Sequence, residues 1–127
     1  GHLGILPQSV KGKFKFKGKK NKERNKILND AKLLQKKGVF SIVLECVETT
    51  LAKQITKSLK IPTIGIGSSK NCDGQVLVID DLIGLNKSKV KFVKKFGHVK
   101  NNISQAASNF KKEVLSKKYP SKKYSYN

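Results

Sequence analysis

The chain has 127 residues and a formal net charge of +20. That is enough for one modest domain with its own core, but too little for a whole (β/α)8 barrel, which takes about 200 residues or more. No apolar stretch approaches the roughly 20 residues of a membrane span, and Cys46 and Cys72 make neither a disulfide framework nor a metal site by spacing.

The charge raises nucleic-acid binding as a function. Arg24, however, is the only arginine among the basic residues, and sequence readers lean on guanidinium groups for bidentate and stacking contacts. Lysine spread along the whole chain reads as a solvated surface of lysine-biased composition, so nucleic acid is not the expected partner. The sequence opens at Gly1 in what reads as the middle of a fold, which predicts a fragment or one piece of a split protein. No signal-peptide pattern stands at its start, and a soluble protein of the reducing cytoplasm is expected.

In chain order, residues Gly1 to Val10 read as a strand end and its loop, since Pro7 forbids a central strand. Lys11 to Lys20 alternates lysine with Phe14 and Phe16, which predicts a short exposed arm whose phenylalanines cover a core edge. A helix is expected over Glu23 to Lys37, with Ile27, Ala31 and Leu34 on one face and Leu28 beside them, stopped by Gly38. Val39 to Leu44 is the first full strand, apolar enough to be buried on both faces. Thr49 or Thr50 caps a helix reaching about Leu59, with Leu51, Ile55 and Leu59 in register. Pro62 opens a second strand, Thr63 to Ile66, and a loop over Gly67 to Asn71 leads to a third, Val76 to Ile79. Helix is expected again over Lys89 to Phe96 and over Asn101 to Ser116, where Ile103, Ala106, Ala107, Phe110 and Val114 make an apolar stripe. Lys117 to Asn127 is a polar tail. Together these elements predict an α/β protein with a parallel sheet.

Glu45 follows an apolar run at the C-terminal end of a strand, where the chemistry of parallel α/β barrels sits. A carboxylate in an apolar setting has a raised pKa and can act as a general base; the alternative is a strand-end carboxylate paired with a lysine. His2 lies between glycines that let backbone approach a ligand closely. His98 reads as surface. The segment Gly65-Ile66-Gly67-Ser68-Ser69 lacks phosphate-loop spacing and reads as a tight turn rather than an anion nest. Asp73, Asp80 and Asp81 specify no complete metal site, and Cys46 reads as a small packed residue rather than a nucleophile.

Several motifs resemble one family together: Gly1-His2-Leu3-Gly4-Ile5-Leu6-Pro7-Gln8-Ser9, Val43-Leu44-Glu45-Cys46-Val47, Ile61-Pro62-Thr63-Ile64-Gly65-Ile66-Gly67, Cys72-Asp73-Gly74-Gln75-Val76-Leu77-Val78, and Tyr119-Pro120 with Tyr124-Ser125-Tyr126. In order and spacing the chain resembles the C-terminal half of the ketopantoate hydroxymethyltransferases. The resemblance implies the C-terminal portion of a (β/α)8 TIM-type barrel, about strands six to eight with their helices, forming one partial domain over residues 1–127 with a tail from residue 117. It implies transfer of a hydroxymethyl unit from 5,10-methylenetetrahydrofolate to 3-methyl-2-oxobutanoate, giving 2-dehydropantoate for pantothenate and coenzyme A synthesis. Glu45 matches the general base and His2 an active-site histidine near the substrate. Mg²⁺ is the implied Lewis acid, with its carboxylate ligands and a substrate-binding lysine in the N-terminal half, so no metal ligand is assigned to this chain. A homo-oligomer is implied as well.

The chain departs from the family pattern at Asp80, where a histidine is common, in the shortened segment Lys11 to Phe16, and at Lys123-Tyr124 in place of a Glu-His pair. A lysine-rich nucleic-acid-binding module and a non-catalytic remnant on the same half-barrel are the alternatives. Half a barrel leaves unpaired strand edges, so the chain by itself is expected to be inactive and poorly behaved without the other half.

Overall fold

A computed structural model describes residues 1–6, 16–87 and 89–126. They fall into two compact units, residues 1–77 and 78–127.

The first unit is a four-stranded parallel sheet in the order β1-β2-β3-β4: β1 His2–Gly4, β2 Ile42–Glu45, β3 Thr63–Ile66 and β4 Gly74–Gln75. Helix α1 (Asn21–Lys36) precedes β2 and helix α2 (Thr49–Ser58) links β2 to β3. Ile27 and Ala31 of α1 and Leu51, Ala52 and Ile55 of α2 are buried in one cluster with Ile42 and Leu44. Burying each large aliphatic side chain contributes about 2 kcal/mol. Gly38, in the left-handed region at φ +86°, ends α1 as expected.

Burial alternates along β2 and β3, with Ile42, Leu44 and Thr63 buried and Val43, Ile64 and Ile66 only partly so. The expectation of a sheet covered on both faces is corrected by this alternation. The helices pack against the face that carries Ile42 and Leu44, and the register puts Val43, Ile64, Glu45 and Ile66 together on the other. A period of two follows directly from the pleat.

Four further expectations are corrected. Strand β2 starts at Ile42, not Val39, and Phe40 is exposed. Helix α2 is capped by neither Thr49 nor Thr50 but by Glu48, whose carboxylate accepts from the amides of Thr50 and Leu51, both at 3.0 Å. The third strand lies at Gly74–Gln75 rather than Val76 to Ile79. Its pairing ends where the Val76 amide bonds the Gly65 carbonyl (3.0 Å), because β3 stops at Ile66 and Gly67 turns the chain at φ +59°. Without a partner beyond that point, Val76, Val78 and Ile79 stay exposed. Finally, Lys89 to Phe96 is not helical; the Phe96 and Gly97 amides instead bond the Leu82 carbonyl. Residues 7–15, and so Phe14 of the expected arm over Lys11 to Lys20, lie outside the described residues; Phe16 is exposed and Lys17 forms a parallel bridge with Val47.

The second unit holds a short helix α3 (Ile79–Leu82), a long helix α4 (Val99–Leu115) and a 3-10 turn at Lys122–Tyr124. The apolar stripe of α4 is present, but no residue of the helix is buried. Tyr119 packs edge-on against Phe110 (5.4 Å between centroids) and lies 6.2 Å from Tyr124.

Candidate active site

The parallel strands of the first unit end side by side at Gly4, Glu45, Ile66 and Gln75. Glu45 closes β2, an interior strand, in register with Gly4 on one side and Ile66 on the other. Its side chain is only 13% exposed, and its Oε2 lies 3.0 Å from Nε2 of His2, which is 37% exposed. The register makes this pair: β1 and β2 align His2 with Val43 and Gly4 with Glu45, so both groups project from the same sheet face. The carboxylate therefore has a histidine as its partner and not a lysine.

The backbone around Glu45 is held closely. Its carbonyl accepts from the Ile5 amide (2.9 Å), and the next amide, Cys46 N–H, donates to the Ile66 carbonyl (2.9 Å). Cys46 is buried, as expected of a packed residue, but it also turns the chain at φ +51°, a conformation uncommon for residues other than glycine. Burial, followed by the charge of Glu45, raises the Cys46 thiol above its usual pKa, so the thiol is not an activated nucleophile. Nothing in the sequence signals the left-handed cysteine.

The segment after β3 forms a turn. Ser68 Oγ donates to the Val47 carbonyl (3.0 Å), the Asn71 amide donates to Ser69 Oγ (3.2 Å), and the Gln75 side-chain amide donates to the Ser69 carbonyl (2.8 Å). Asp73 sits at the opposite end of the sheet, where its carboxylate accepts from the amide and hydroxyl of Thr63, the first residue of β3, at 2.8 and 3.0 Å. These bonds hold its pKa below the usual carboxylate range. His98 is exposed in the second unit, and Asp80 and Asp81 stand in its helix α3. No group of three or more His, Cys, Asp or Glu among the described residues converges as a metal site. No helix among them is long and apolar enough to cross a membrane.

A family model described as ketopantoate hydroxymethyltransferase matches residues 1–122. The chain belongs to this family. A relative named 3-methyl-2-oxobutanoate hydroxymethyltransferase from Pelagibacter ubique (strain HTCC1062) is 63% identical over 126 residues, covering 99% of this chain and 49% of the relative. Relatives of the same name from Bdellovibrio bacteriovorus and Clostridium botulinum (strain 657 / Type Ba4) are 50% and 46% identical, over 100% and 99% of this chain and 49% and 47% of their own lengths. The chain thus spans about half the length of the curated relatives it matches. The family is one of transferase enzymes, and a parallel α/β sheet is consistent with part of a TIM-barrel hydroxymethyltransferase.

Proposed function

We propose that this chain, as about strands six to eight of the barrel, supplies the general base of a 3-methyl-2-oxobutanoate hydroxymethyltransferase, working with an N-terminal half that completes the barrel. The observation that carries this reading is the sheltered Glu45 carboxylate at the C-terminal end of a parallel strand, 3.0 Å from His2. His2 Nε2 stands 3.0 Å from one oxygen of Glu45, and the carboxylate accepts a proton from C3 of the keto acid. The C3–H electron pair becomes the enolate. Water first releases the one-carbon unit of 5,10-methylenetetrahydrofolate as formaldehyde, breaking both of its C–N bonds to give tetrahydrofolate; C3 then bonds to the formaldehyde carbon, whose carbonyl oxygen takes the proton removed from C3 and becomes the hydroxyl of 2-dehydropantoate. Magnesium ligation belongs, on this reading, to the N-terminal half, and the assembly is a cytoplasmic homo-oligomer.

The test uses this chain joined to the N-terminal half of the Pelagibacter ubique relative. In D₂O, the joined enzyme exchanges the C3 hydrogen of 3-methyl-2-oxobutanoate for deuterium, and Glu45→Gln slows exchange by at least about a hundredfold, the scale of general-base catalysis, while still binding the keto acid. Exchange by the variant at the normal rate would remove Glu45 from the mechanism.

A further inference from the structure

We infer that Gly4 is a positioning residue for the Glu45 carboxylate, an inference that rests on the reading of Glu45 as the base. Gly4 adopts φ +102° directly beside Glu45 in the strand register. A Cβ built there would overlap the Glu45 carbonyl oxygen and come within 2.8 Å of Val47 Cγ2 and 3.0 Å of the Glu45 carbonyl carbon. The close approach that this glycine permits is therefore to the backbone of the base.

The obstructed atoms cannot move aside freely. The peptide that follows Glu45 is gripped at both edges, its carbonyl by the amide of Ile5, just after β1, and its N–H by the Ile66 carbonyl of β3. The left-handed turn at Cys46 fixes its far end. A side chain at position 4 must push this peptide away or push β1 away. The first choice moves the Glu45 Cα, and the second carries off His2, two residues earlier on the same strand. Either way the 3.0 Å contact between imidazole and carboxylate is lost. The missing side chain at Gly4 thus sets where the base sits, although Gly4 touches neither substrate nor carboxylate oxygens.

A shift on the order of an ångström in a catalytic group lowers turnover by roughly a hundredfold. In the joined enzyme, Gly4→Ala is expected to lower the saturated rate of C3 deuterium exchange by about that factor, with the half-saturating keto acid concentration little changed. Gly38→Ala is the control. Gly38 has a comparable positive φ of +86° but nothing within 4 Å of its added Cβ; this variant bears the same backbone cost and keeps the full exchange rate. Cys46→Gly adds no atoms and frees the other end of the gripped peptide. It is expected to lose roughly tenfold in rate through looser placement of the base, and it decides the matter if Gly4→Ala gives no folded protein. Full rate in Cys46→Gly and in any folded Gly4→Ala, with Glu45→Gln inactive in the same assay, overturns the positioning role and leaves the base intact. An equal loss in Gly38→Ala and Gly4→Ala overturns it too, by tracing the loss to backbone conformation alone. Normal exchange by Glu45→Gln would end both readings together.

Discussion

The two units of this chain carry similar apolar patterns and treat them differently. In the first, Leu51 and Ile55 of α2 are fully buried against Ile42 and Leu44 of β2. In the second, Ile103, Phe110 and Val114 repeat along α4 just as regularly, yet each is more than 40% exposed. Periodicity therefore specifies which face of a helix is apolar and says nothing of whether a surface exists to receive it. What gives the first unit its core is the parallel ladder, which brings β1, β2 and β3 to one plane and offers a flat apolar face to two helices.

The largest effect that could break this contrast comes from truncation inside the core. Leu51→Ala is expected to cost about 2–5 kcal/mol, measured by urea denaturation of the joined enzyme. An effect below about 1 kcal/mol would mean that the first unit is not the stable part of the chain.

A smaller effect sharpens the contrast by pH. Hydrogen bonds to Glu48 from the Thr50 hydroxyl and amide, then from Leu51 and Arg24, lower its pKa to about 2 from an ordinary 4.5. A depressed folded-state pKa contributes stability that is present above the unfolded value and lost as pH falls through the folded one. Glu48→Gln should therefore cost about 1 kcal/mol at neutral pH, the usual scale of an N-cap. The gap between wild type and variant should then close between pH 4.5 and about 2. A gap that stayed constant through that window would assign the stabilisation to shape rather than charge.

The smallest effect belongs to α4. Ile103→Ser should change stability by no more than about 0.5 kcal/mol, as at exposed positions generally. A loss above about 2 kcal/mol would show that its apolar face is covered in solution and would erase the difference between the units.

Much of the first unit was legible in the residues themselves. Pro62 and Gly67 bracket β3, and Leu51 and Ile55 mark the buried face of α2. The shortened β4 was not legible, because Val76 to Ile79 has strand composition and only the early end of its neighbour denies it a partner. Capping by Glu48 escaped for a related reason: threonine is the commoner cap, and the winning carboxylate is fixed partly by Arg24 from another helix (2.9 Å). At the candidate site, Glu45 and His2 each stood out alone. Their pairing, which the strand register produces, and the left-handed turn at Cys46 had no local signal. The grip on the peptide after Glu45 depends on amides from strands far apart in sequence, and no window of residues contains it.

Arg24 donates to Glu48 through one terminal nitrogen at 2.9 Å and to Gln54 through the other at 3.1 Å. A lysine there would keep the charge but present a single nitrogen, unable to hold two separated acceptors in fixed directions. In a chain whose other basic side chains apart from two histidines are all ammonium groups, a charge-neutral exchange at this position would remove a polar clasp between two helices while leaving electrophoretic mobility untouched.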